Sequence, residues 1–468
     1  TNDQAITLSN TSNALTGAVT VSSQGTSGNV TIDNGTTALG VQGTANGNLV
    51  LISGEVITDS AALTVSGTTT VTTDVADKAI TLGTLASTGD VSLNSSGTTG
   101  NAVVNNTTTA LGLAASSIGG TLTAETDNSI TVKGTVTSKG VTSLSASDDV
   151  IFAAAGALAS TNGNITVTAD DDNTPTGTGG AMTMANGATI NSGTGTITLS
   201  ADEDIALGGL TTTNATGAAV SITSDNGSIT DGGDTSVDIT ASTTGAVVTL
   251  AAKNAIGTVS GDSVYLDPAD TGYAGNPLET AMLTASITTS AVNSDIAIDN
   301  TSSGGLTISA LQPGGAGNAA SAWIRNSAAL DVSGITINST NNSADELAFI
   351  ATTGNLTVQD IGTTPLNVGT VGVLKLEALA GDVTETGAND NLNVTAQDFI
   401  LKSNTSETVT LAVTNFDGQI TGTGNDLTAT QTTGDLVLKN LDGDGDKVLT
   451  KDTSIFAEGG ASITTSNG

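Results

Sequence analysis

The sequence predicts an all-β fold, a right-handed parallel β-helix (β-solenoid) whose coils are joined by short corner turns of Gly, Asn and Asp. Three observations predict it: a composition of small and β-branched residues, short alternating segments along the whole chain, and internal repeats. Of 468 residues, 58 are Gly and 5 are Pro, while aromatic residues make up 2%. Val, Ile and Thr suit a pleated surface, and Gly and Asn suit tight corners. We therefore expect a narrow core lined by small side chains.

Short segments in which apolar residues alternate with polar ones are expected to form the strands, because this period of 2 turns one set of side chains inward. Turn signals such as Asp33-Asn-Gly35, Asn162-Gly163 and Asp225-Asn-Gly227 separate these segments and leave no room for a crossover helix. The predicted strands include Asn29–Ile32, Leu63–Val65, Ala79–Leu82, Asn164–Thr168, Thr196–Leu199, Leu356–Val358 and Leu436–Leu438.

A longer internal repeat supports stacking of similar coils. The block Gly17–Gly40 matches Gly89–Gly112, at an offset of 72 residues, in 13 of 24 positions. The segment Asp3–Leu8 recurs as Asp77–Leu82. Repetition of this kind is typical of a solenoid, in which each coil buries its apolar side only by stacking on its neighbours.

We expect one continuous β-solenoid over residues 1–468. The least regular stretch is 265–283, which contains Pro268, Tyr273 and Pro277 and is predicted to be a larger corner loop or a break between two solenoid blocks. The alternative is a tandem array of antiparallel sandwiches, because the turn signals have a spacing that also suits such domains. The single Trp and the absence of Pro-rich or charged linkers favour the solenoid.

The charge balance disfavours two classes of partner. The chain carries 45 acidic and 10 basic residues, for a net charge of −35 at pH 7. Attraction to nucleic acid or to an anionic membrane surface is therefore not expected. The longest apolar stretches, Ile151–Ala159 and Ala246–Ala252, are shorter than the roughly 20 residues that span a bilayer, so no membrane insertion is expected either.

The sequence also points away from catalysis. It contains no Cys and no His, which removes thiolate chemistry and the Ser-His-Asp and Cys-His mechanisms. The basic residues are scattered, whereas parallel β-helix enzymes that act on acidic polysaccharides need basic or aromatic residues beside a cation site. We expect that the protein is not an enzyme, and a secreted polysaccharide-active β-helix enzyme is the alternative.

The best metal-binding candidates are Asp442, Asp444 and Asp446, which alternate with glycine. Carboxylates spaced in this way are able to surround a hard cation, and Ca²⁺ is the one candidate cofactor. The alternative is an acidic, solvated turn. Two other acidic runs, Asp170–Asp172 and Asp202–Asp204, are interpreted as solvated corners.

Two further features have competing interpretations. Trp323 with Arg325 is able to dock a sugar or a partner, or the aromatic ring covers the edge of a coil. Thr-x-Thr pairs such as Thr70–Thr72 and Thr196–Thr198 suit an ice-binding or surface-binding β-solenoid. The high Thr content explains these pairs equally well, and they are not expected to recur at one fixed position of the coil.

The segment Gly54–Thr73, and the block Gly275–Thr280 followed by Asp295–Ile298 and Gly305–Ile308, resemble the degenerate repeats of the very large filamentous-haemagglutinin-like surface adhesins of Gram-negative bacteria. The similarity extends over most of the chain. The resemblance implies the repeat shaft of such an adhesin, with a right-handed β-helix and export by two-partner or related secretion.

We therefore expect a secreted structural protein of the bacterial cell surface, an extracellular fibre or adhesin shaft. Thr1 and Gly468 lie in ordinary repeat sequence without polar caps. The terminal coils are expected to pair head to tail with another copy, or with further repeats of the same chain, and so to form a filament. Glycans on host or other cell surfaces are candidate partners.

Overall fold

In a computed structural model, the chain is an all-β parallel β-solenoid of about 17 turns, as the sequence predicted. None of the described residues lies in a helix, and so none belongs to a helix long and apolar enough to cross a membrane. The structure describes residues 3–170, 179–233, 236–259, 275–314, 320–335, 346–359, 366–369, 372–386, 391–433, 435–438, 441, 455–457 and 460–465.

The chain divides into two compact units. Unit 1 comprises Thr1–Ala215, Ala219–Asp225 and Gly232–Asp234. Unit 2 comprises Thr216–Ala218, Asn226–Asp231 and Thr235–Gly468. The single continuous solenoid over 1–468 and the loop or break at 265–283 stay predictions, and residues 265–274 lie outside the described part of the chain.

The strands of unit 1 are short and follow one another closely. They are β1 Ile6–Leu8, β2 Ala18–Ser22, β3 Val30–Asp33, β4 Leu39–Ala45, β5 Leu49–Ser53, β6 Ile57–Val65, β7 Thr69–Thr73, β8 Ile80–Leu82, β9 Leu85–Ser87, β10 Val91–Asn94, β11 Ala102–Asn105, β12 Leu111–Leu113, β13 Ser116–Ile118, β14 Leu122–Thr126, β15 Ile130–Val132, β16 Thr135–Ser138, β17 Thr142–Ala146, β18 Val150–Phe152, β19 Ala157–Ser160, β20 Ile165–Ala169, β21 Met182–Met184, β22 Thr189–Asn191, β23 Ile197–Ala201, β24 Ile205–Leu207, β25 Gly209–Thr211 and β26 Val220–Ser224.

Unit 2 contains the remaining strands. They are β27 Ile229–Asp231, β28 Ile239–Ala241, β29 Val248–Ala252, β30 Leu278–Met282, β31 Thr284–Thr289, β32 Ile296–Asn300, β33 Leu306–Gln312, β34 Ser321–Asn326, β35 Leu330–Asp331, β36 Glu346–Ala351, β37 Leu356–Val358, β38 Leu366–Asn367, β39 Val373–Ala378, β40 Val383–Glu385, β41 Leu392–Thr395, β42 Asp398–Ser403, β43 Glu407–Ala412, β44 Asn415–Ile420, β45 Asp426–Gln431, β46 Val437–Leu438, β47 Ile455–Ala457 and β48 Gly460–Thr465.

Each turn of unit 1 pairs in parallel with the turn that follows it. Val30 lies opposite Leu49, Leu49 opposite Thr69, and Thr69 opposite Val91, which gives a coil of roughly 20 residues. Along β5 the side chains alternate between buried and half-buried. The inward side chains of successive turns therefore stack in columns that form the core.

The 72-residue repeat is not a whole number of turns. Three turns carry the chain from Val30 to Val91, and a fourth carries it to Leu113. Ala102, the counterpart of Val30 in the repeat, lies between these two positions. Accordingly β3 pairs in the sheet that contains β5 and β10, whereas its counterpart β11 pairs in the other sheet, with β8 and β14.

Unit 2 differs from unit 1 in having strands that are buried on both faces. Every residue of β39 and of β42 is buried. On the inward face, the rings of Phe399 and Phe416 stack with centroids 5.5 Å apart. On the paired strands β32 and β34, Asn300 donates its side-chain amide to Asn326 Oδ1 at 2.8 Å, which forms a short buried Asn ladder.

Candidate functional sites

The predicted metal ligands Asp442, Asp444 and Asp446 lie outside the described residues. The Ca²⁺ site there stays a prediction. Of the weaker acidic runs, Asp171 and Asp172 are also outside the described residues.

The other weak run, Asp202–Asp204, forms a corner of unit 1. Glu203 and Asp204 are exposed, and Asp202 is half-buried. The backbone of this corner is fixed by the ladder, because the Glu203 N–H donates to the Gly180 carbonyl at 3.1 Å. The exposure agrees with the interpretation of this run as a solvated corner.

Unit 2 brings together three carboxylates that sequence reasoning did not connect. Asp231, Asp238 and Glu279 each place a carboxylate oxygen within 4.8 Å of the other two, and they are the one such group among the described residues. Asp231 accepts a hydrogen bond from the Asn276 side chain at 3.1 Å, and Asp238 accepts one from the Glu279 N–H at 3.1 Å. Oxygen ligands at this spacing are of the type that Ca²⁺ takes. The only signal in the sequence was the Asp231-Gly-Gly233 turn.

A face of unit 1 carries two columns of side chains, nearly all of them the hydroxyl side chains of Ser and Thr. Residues of one column lie opposite each other on successive strands, and the second column lies two residues further along each strand. The first column is Thr123, Ser143, Thr166, Thr198 and Ser221, and the second is Glu125, Ser145, Thr168, Ser200 and Thr223. Only β20 has Thr in both columns, and the pair Thr70–Thr72 lies in β7 of the other sheet, so the expectation that Thr-x-Thr pairs do not recur at one coil position is not contradicted. The columns combine Thr with Ser. The parallel register aligns them, although the number of residues per turn varies.

Trp323 neither covers a coil edge nor stands ready to dock a ligand, because it is 0% exposed. It packs in a buried cluster with Ala348, Ile350 and Val373. The guanidinium carbon of Arg325 lies 5.9 Å from the centre of the Trp323 ring, a distance at which a cation–π contact is favourable. Both competing interpretations of this residue are replaced by a packing role.

Arg325 is also held by an acidic neighbour on the adjacent strand. Its Nε donates to Asp299 Oδ1 at 3.0 Å and its Nη2 to Asp299 Oδ2 at 2.5 Å. This two-point geometry is the strongest arrangement of an Arg–carboxylate pair. The pair links a side chain of β32 to a side chain of β34 on the outward face of these two strands.

Three more charged residues lie on the same outward face of unit 2. Glu377 Oε2 is 3.4 Å from Lys375 Nζ, and Glu377 Oε1 is 3.4 Å from Lys402 Nζ. Their exposed fractions are 0% for Glu377, 2% for Lys375 and 7% for Lys402. Charges so deeply buried are stable only when paired, because burial removes their hydration.

Sequence reasoning missed this charged cluster and described the basic residues as scattered. They are scattered along the chain, but the register aligns Glu377 with Lys402 and places Lys375 beside them. One signal was present: Lys375 and Glu377 are separated by one residue inside an apolar strand, so they share a face. The partner Lys402 could be found only with the register.

In comparisons of sequence and of structure, no protein family, no curated protein and no solved structure matches the chain. The resemblance to filamentous-haemagglutinin-like adhesins gains no support from these comparisons. What the fold defines is a parallel β-solenoid repeat protein.

Proposed function

We propose that the chain is a structural segment of a secreted fibre on the bacterial cell surface, the shaft of an adhesin. The observation that carries the proposal is the parallel ladder, in which each turn of a unit is hydrogen-bonded to the next over buried columns. Backbone bonds that run from turn to turn resist pulling and proteolysis, and most strands of unit 1 are joined by short corner turns. Composition supports the same role, because a chain without His or Cys lacks the commonest general base and the thiolate nucleophile.

The proposal includes end-to-end pairing, with another copy or with further repeats of the same chain. β1 pairs with β3, and β48 pairs with β45. Pairing through the opposite edge of either strand would extend the same parallel ladder, as in other cases of strand addition. An open, non-closing contact of this kind generates a filament.

Electron microscopy of the purified chain, combined with Thr7→Pro, tests the assembly. In β1 the Ile6 N–H donates to Asn29 on the β3 side, and alternate residues of a parallel strand bond to opposite sides. Thr7→Pro therefore removes an N–H from the outer edge and leaves the bonds to β3 in place. We expect filaments from the wild type, much shorter particles from Thr7→Pro, and unchanged filaments from the control Thr7→Val. Single particles of one length in all three samples would contradict assembly by this edge.

The role of an adhesin shaft places the ligand-binding part elsewhere. Binding of this segment to glycan arrays and to host cells is then expected to stay at background. Turnover of an acidic polysaccharide in the presence of Ca²⁺ would overturn the structural proposal in favour of a β-helix enzyme.

A second candidate function, binding to an ordered surface such as ice, is favoured by the paired hydroxyl columns of unit 1. Their rows repeat at the strand spacing of about 4.8 Å, and the two columns are about 7 Å apart. Four of the five strands carry only Ser and Thr in both columns, in a chain of net charge −35. Growth of ice crystals in the presence of the chain tests this function. We expect the wild-type chain to inhibit growth and Thr166→Lys to lose this inhibition. Thr31→Lys, a change on another face, should keep it.

A further inference from the structure

Three neighbouring strands of unit 2 place an acid, an amine and an amide in one column. Glu377 of β39 lies opposite Lys402 of β42, and Lys402 lies opposite Gln419 of β44. Gln419 is 5% exposed, so all three side chains are almost fully shielded from water. Strands in a sheet are about 4.8 Å apart, which is shorter than a lysine side chain. The amine of Lys402 is therefore within reach of the Gln419 amide.

Asp417 and Lys375 lie beside this column and hold the side chains of Gln419 and Glu377 in place. Gln419 Nε2 donates to Asp417 Oδ1 at 3.4 Å, and Asp417 Oδ2 in turn accepts the Leu441 N–H at 2.9 Å. Lys375 holds the second oxygen of Glu377 at 3.4 Å. The carboxylate and the amide thus lie on the strands on either side of Lys402, and a neighbouring position of this kind favours reaction between two groups by proximity.

We propose that Lys402 and Gln419 are joined by an intramolecular isopeptide bond that the chain forms by itself. Glu377 Oε1, 3.4 Å from Lys402 Nζ, takes a proton from the ammonium group and leaves a neutral, nucleophilic amine. Burial favours this transfer, because it replaces two desolvated charges by two neutral groups.

The reaction balances without any outside reagent. The lone pair of Lys402 Nζ forms a bond to Cδ of Gln419, and the bond from Cδ to Nε2 breaks. The proton on Glu377 and one proton from the attacking nitrogen pass to the leaving nitrogen, which departs as ammonium. The Glu377 carboxylate is regenerated, and the positive charge of Lys402 leaves with the ammonium ion. Lys375 stays paired with the other carboxylate oxygen of Glu377 throughout.

The bond would tie β42 covalently to β44, across a face that is otherwise held by backbone bonds and buried contacts. It closes a short loop between residues 402 and 419 and so restricts the unfolded chain. The inference stands apart from the proposed fibre function, because it depends only on the chemistry of this face. In a fibre, it would prevent this part of the ladder from opening under load.

Intact mass measurement of the purified, fully denatured wild-type chain is the decisive experiment. The expected mass is lower than that of the sequence by one ammonia, and tandem fragmentation of a digest should give a branched peptide with Lys402 linked to Gln419. A mass equal to that of the sequence overturns the proposal. Loss of ammonia by succinimide formation at an Asn-Gly pair is distinguished by mild base, which restores one water to a succinimide and leaves the isopeptide bond unchanged.

Two variants assign the roles. Gln419→Met removes the acyl donor and Glu377→Gln removes the base, so both are expected to have the full mass of their sequences. The control Lys133→Met changes a lysine that is paired with Asp90 on the surface of unit 1, and it should retain the ammonia loss. Ammonia loss at the same branch point in Glu377→Gln would overturn the role of Glu377. Circular dichroism shows whether each variant folds, and the wild-type mass decides the proposal even where a variant does not.

Discussion

At the scale of single residues, the internal repeat reproduces a set of buried hydrogen bonds. Asn34 and Asn106 are counterparts in the repeat, and both are 0% exposed. Asn34 exchanges bonds with the backbone of Leu15 and donates to the two carbonyls three and four residues ahead. Asn106 makes the same bonds, with Ser87 in place of Leu15. The conserved pattern within the chain therefore reflects a corner whose backbone needs this side chain.

Asn106→Ala is expected to destabilise unit 1 by about 3 kcal/mol, because it leaves buried backbone groups of the corner without partners. The Ser87 N–H, which donates to Asn106 at 2.8 Å, is the clearest of these groups. Urea denaturation followed by circular dichroism measures the change. Asn162→Ala is the control, since Asn162 is exposed. Within the described residues, its side chain accepts one hydrogen bond, from the Thr194 hydroxyl. Equal stability of the two variants would contradict the corner role.

Asp3 and Asp77 form a second pair of counterparts. Each has a positive φ, of 62° and 65°, and each accepts two successive backbone N–H groups of the next coil. Donation from the backbone of Thr98, then of Thr99, holds the pKa of Asp77 below its ordinary value. The sequence showed these aspartates only as the first residue of a repeated segment. Their role depends on a left-handed backbone conformation that sequence alone does not reveal.

This lowered pKa predicts the sign of a pH effect. A carboxyl group whose pKa is lower in the folded state adds stability above its unfolded value, about 3.9, and this stability is lost as the pH falls through the folded value. Asp77→Asn should therefore lower the melting temperature at pH 6, and the difference from wild type should shrink as the pH falls below about 4. Thermal melts from pH 6 to well below pH 4 measure it, with Asp127→Asn as an exposed control. A difference that does not change with pH would contradict the prediction.

At the scale of elements, the alternating segments predicted the strands well. Leu356–Val358 was predicted and found at the same residues, and Asn29–Ile32 and Ala79–Leu82 are found shifted by one residue at their starts. Register could not be predicted, because corner loops of varying length decide which residues face each other. The Lys402–Glu377 pair, the hydroxyl columns and the carboxylates of Asp231 and Glu279 all depend on register.

The stacked phenylalanines of unit 2 require a small residue beside them. A Cβ on Gly418 would lie 2.5 Å from Phe416 Cζ and 2.9 Å from Leu427 Cδ2. Gly418→Ala is therefore expected to cost about 1–3 kcal/mol by overpacking. Phe416→Leu should recover part of this cost in the double variant, because it removes the atom that clashes. Gly83→Ala is the control, since no atom lies within 4 Å of its Cβ position. Additive effects of the two changes, measured by urea denaturation, would contradict this account.

The predicted Ca²⁺ ligands are testable independently of their conformation. If Asp442, Asp444 and Asp446 bind Ca²⁺, the cation stabilises the folded chain by mass action, and chelation lowers the melting temperature. Asp444→Asn should remove that difference. The same melts on Asp238→Asn show whether a Ca²⁺ effect arises instead at the group formed by Asp231, Asp238 and Glu279. A melting temperature that is the same with and without chelator would remove Ca²⁺ from both.

At the scale of the whole molecule, composition and internal repetition predicted the fold class. The length of the sequence repeat, however, does not correspond to a whole number of solenoid turns. The matching blocks Gly17–Gly40 and Gly89–Gly112 place their strands on different sheets, since the offset falls between three and four turns. The repeated residues are able to form a strand of either sheet, because each sheet has one inward face that is lined by Val, Ile and Leu. A solenoid tolerates this shift, whereas a sandwich with two different faces would not.

The net charge of −35 predicts that the proposed end-to-end assembly depends on salt. Copies that approach end to end repel each other, and ions screen this repulsion over a distance that falls from about 30 Å at 0.01 M to about 8 Å at 0.15 M. The backbone pairing proposed for the edge strands is short-ranged and is not weakened in the same way. Light scattering should therefore show filament growth that increases with NaCl concentration, while Thr7→Pro shows no such increase. Filaments that dissolve as salt is added would mean that attraction between opposite charges, and not strand pairing, holds the copies together.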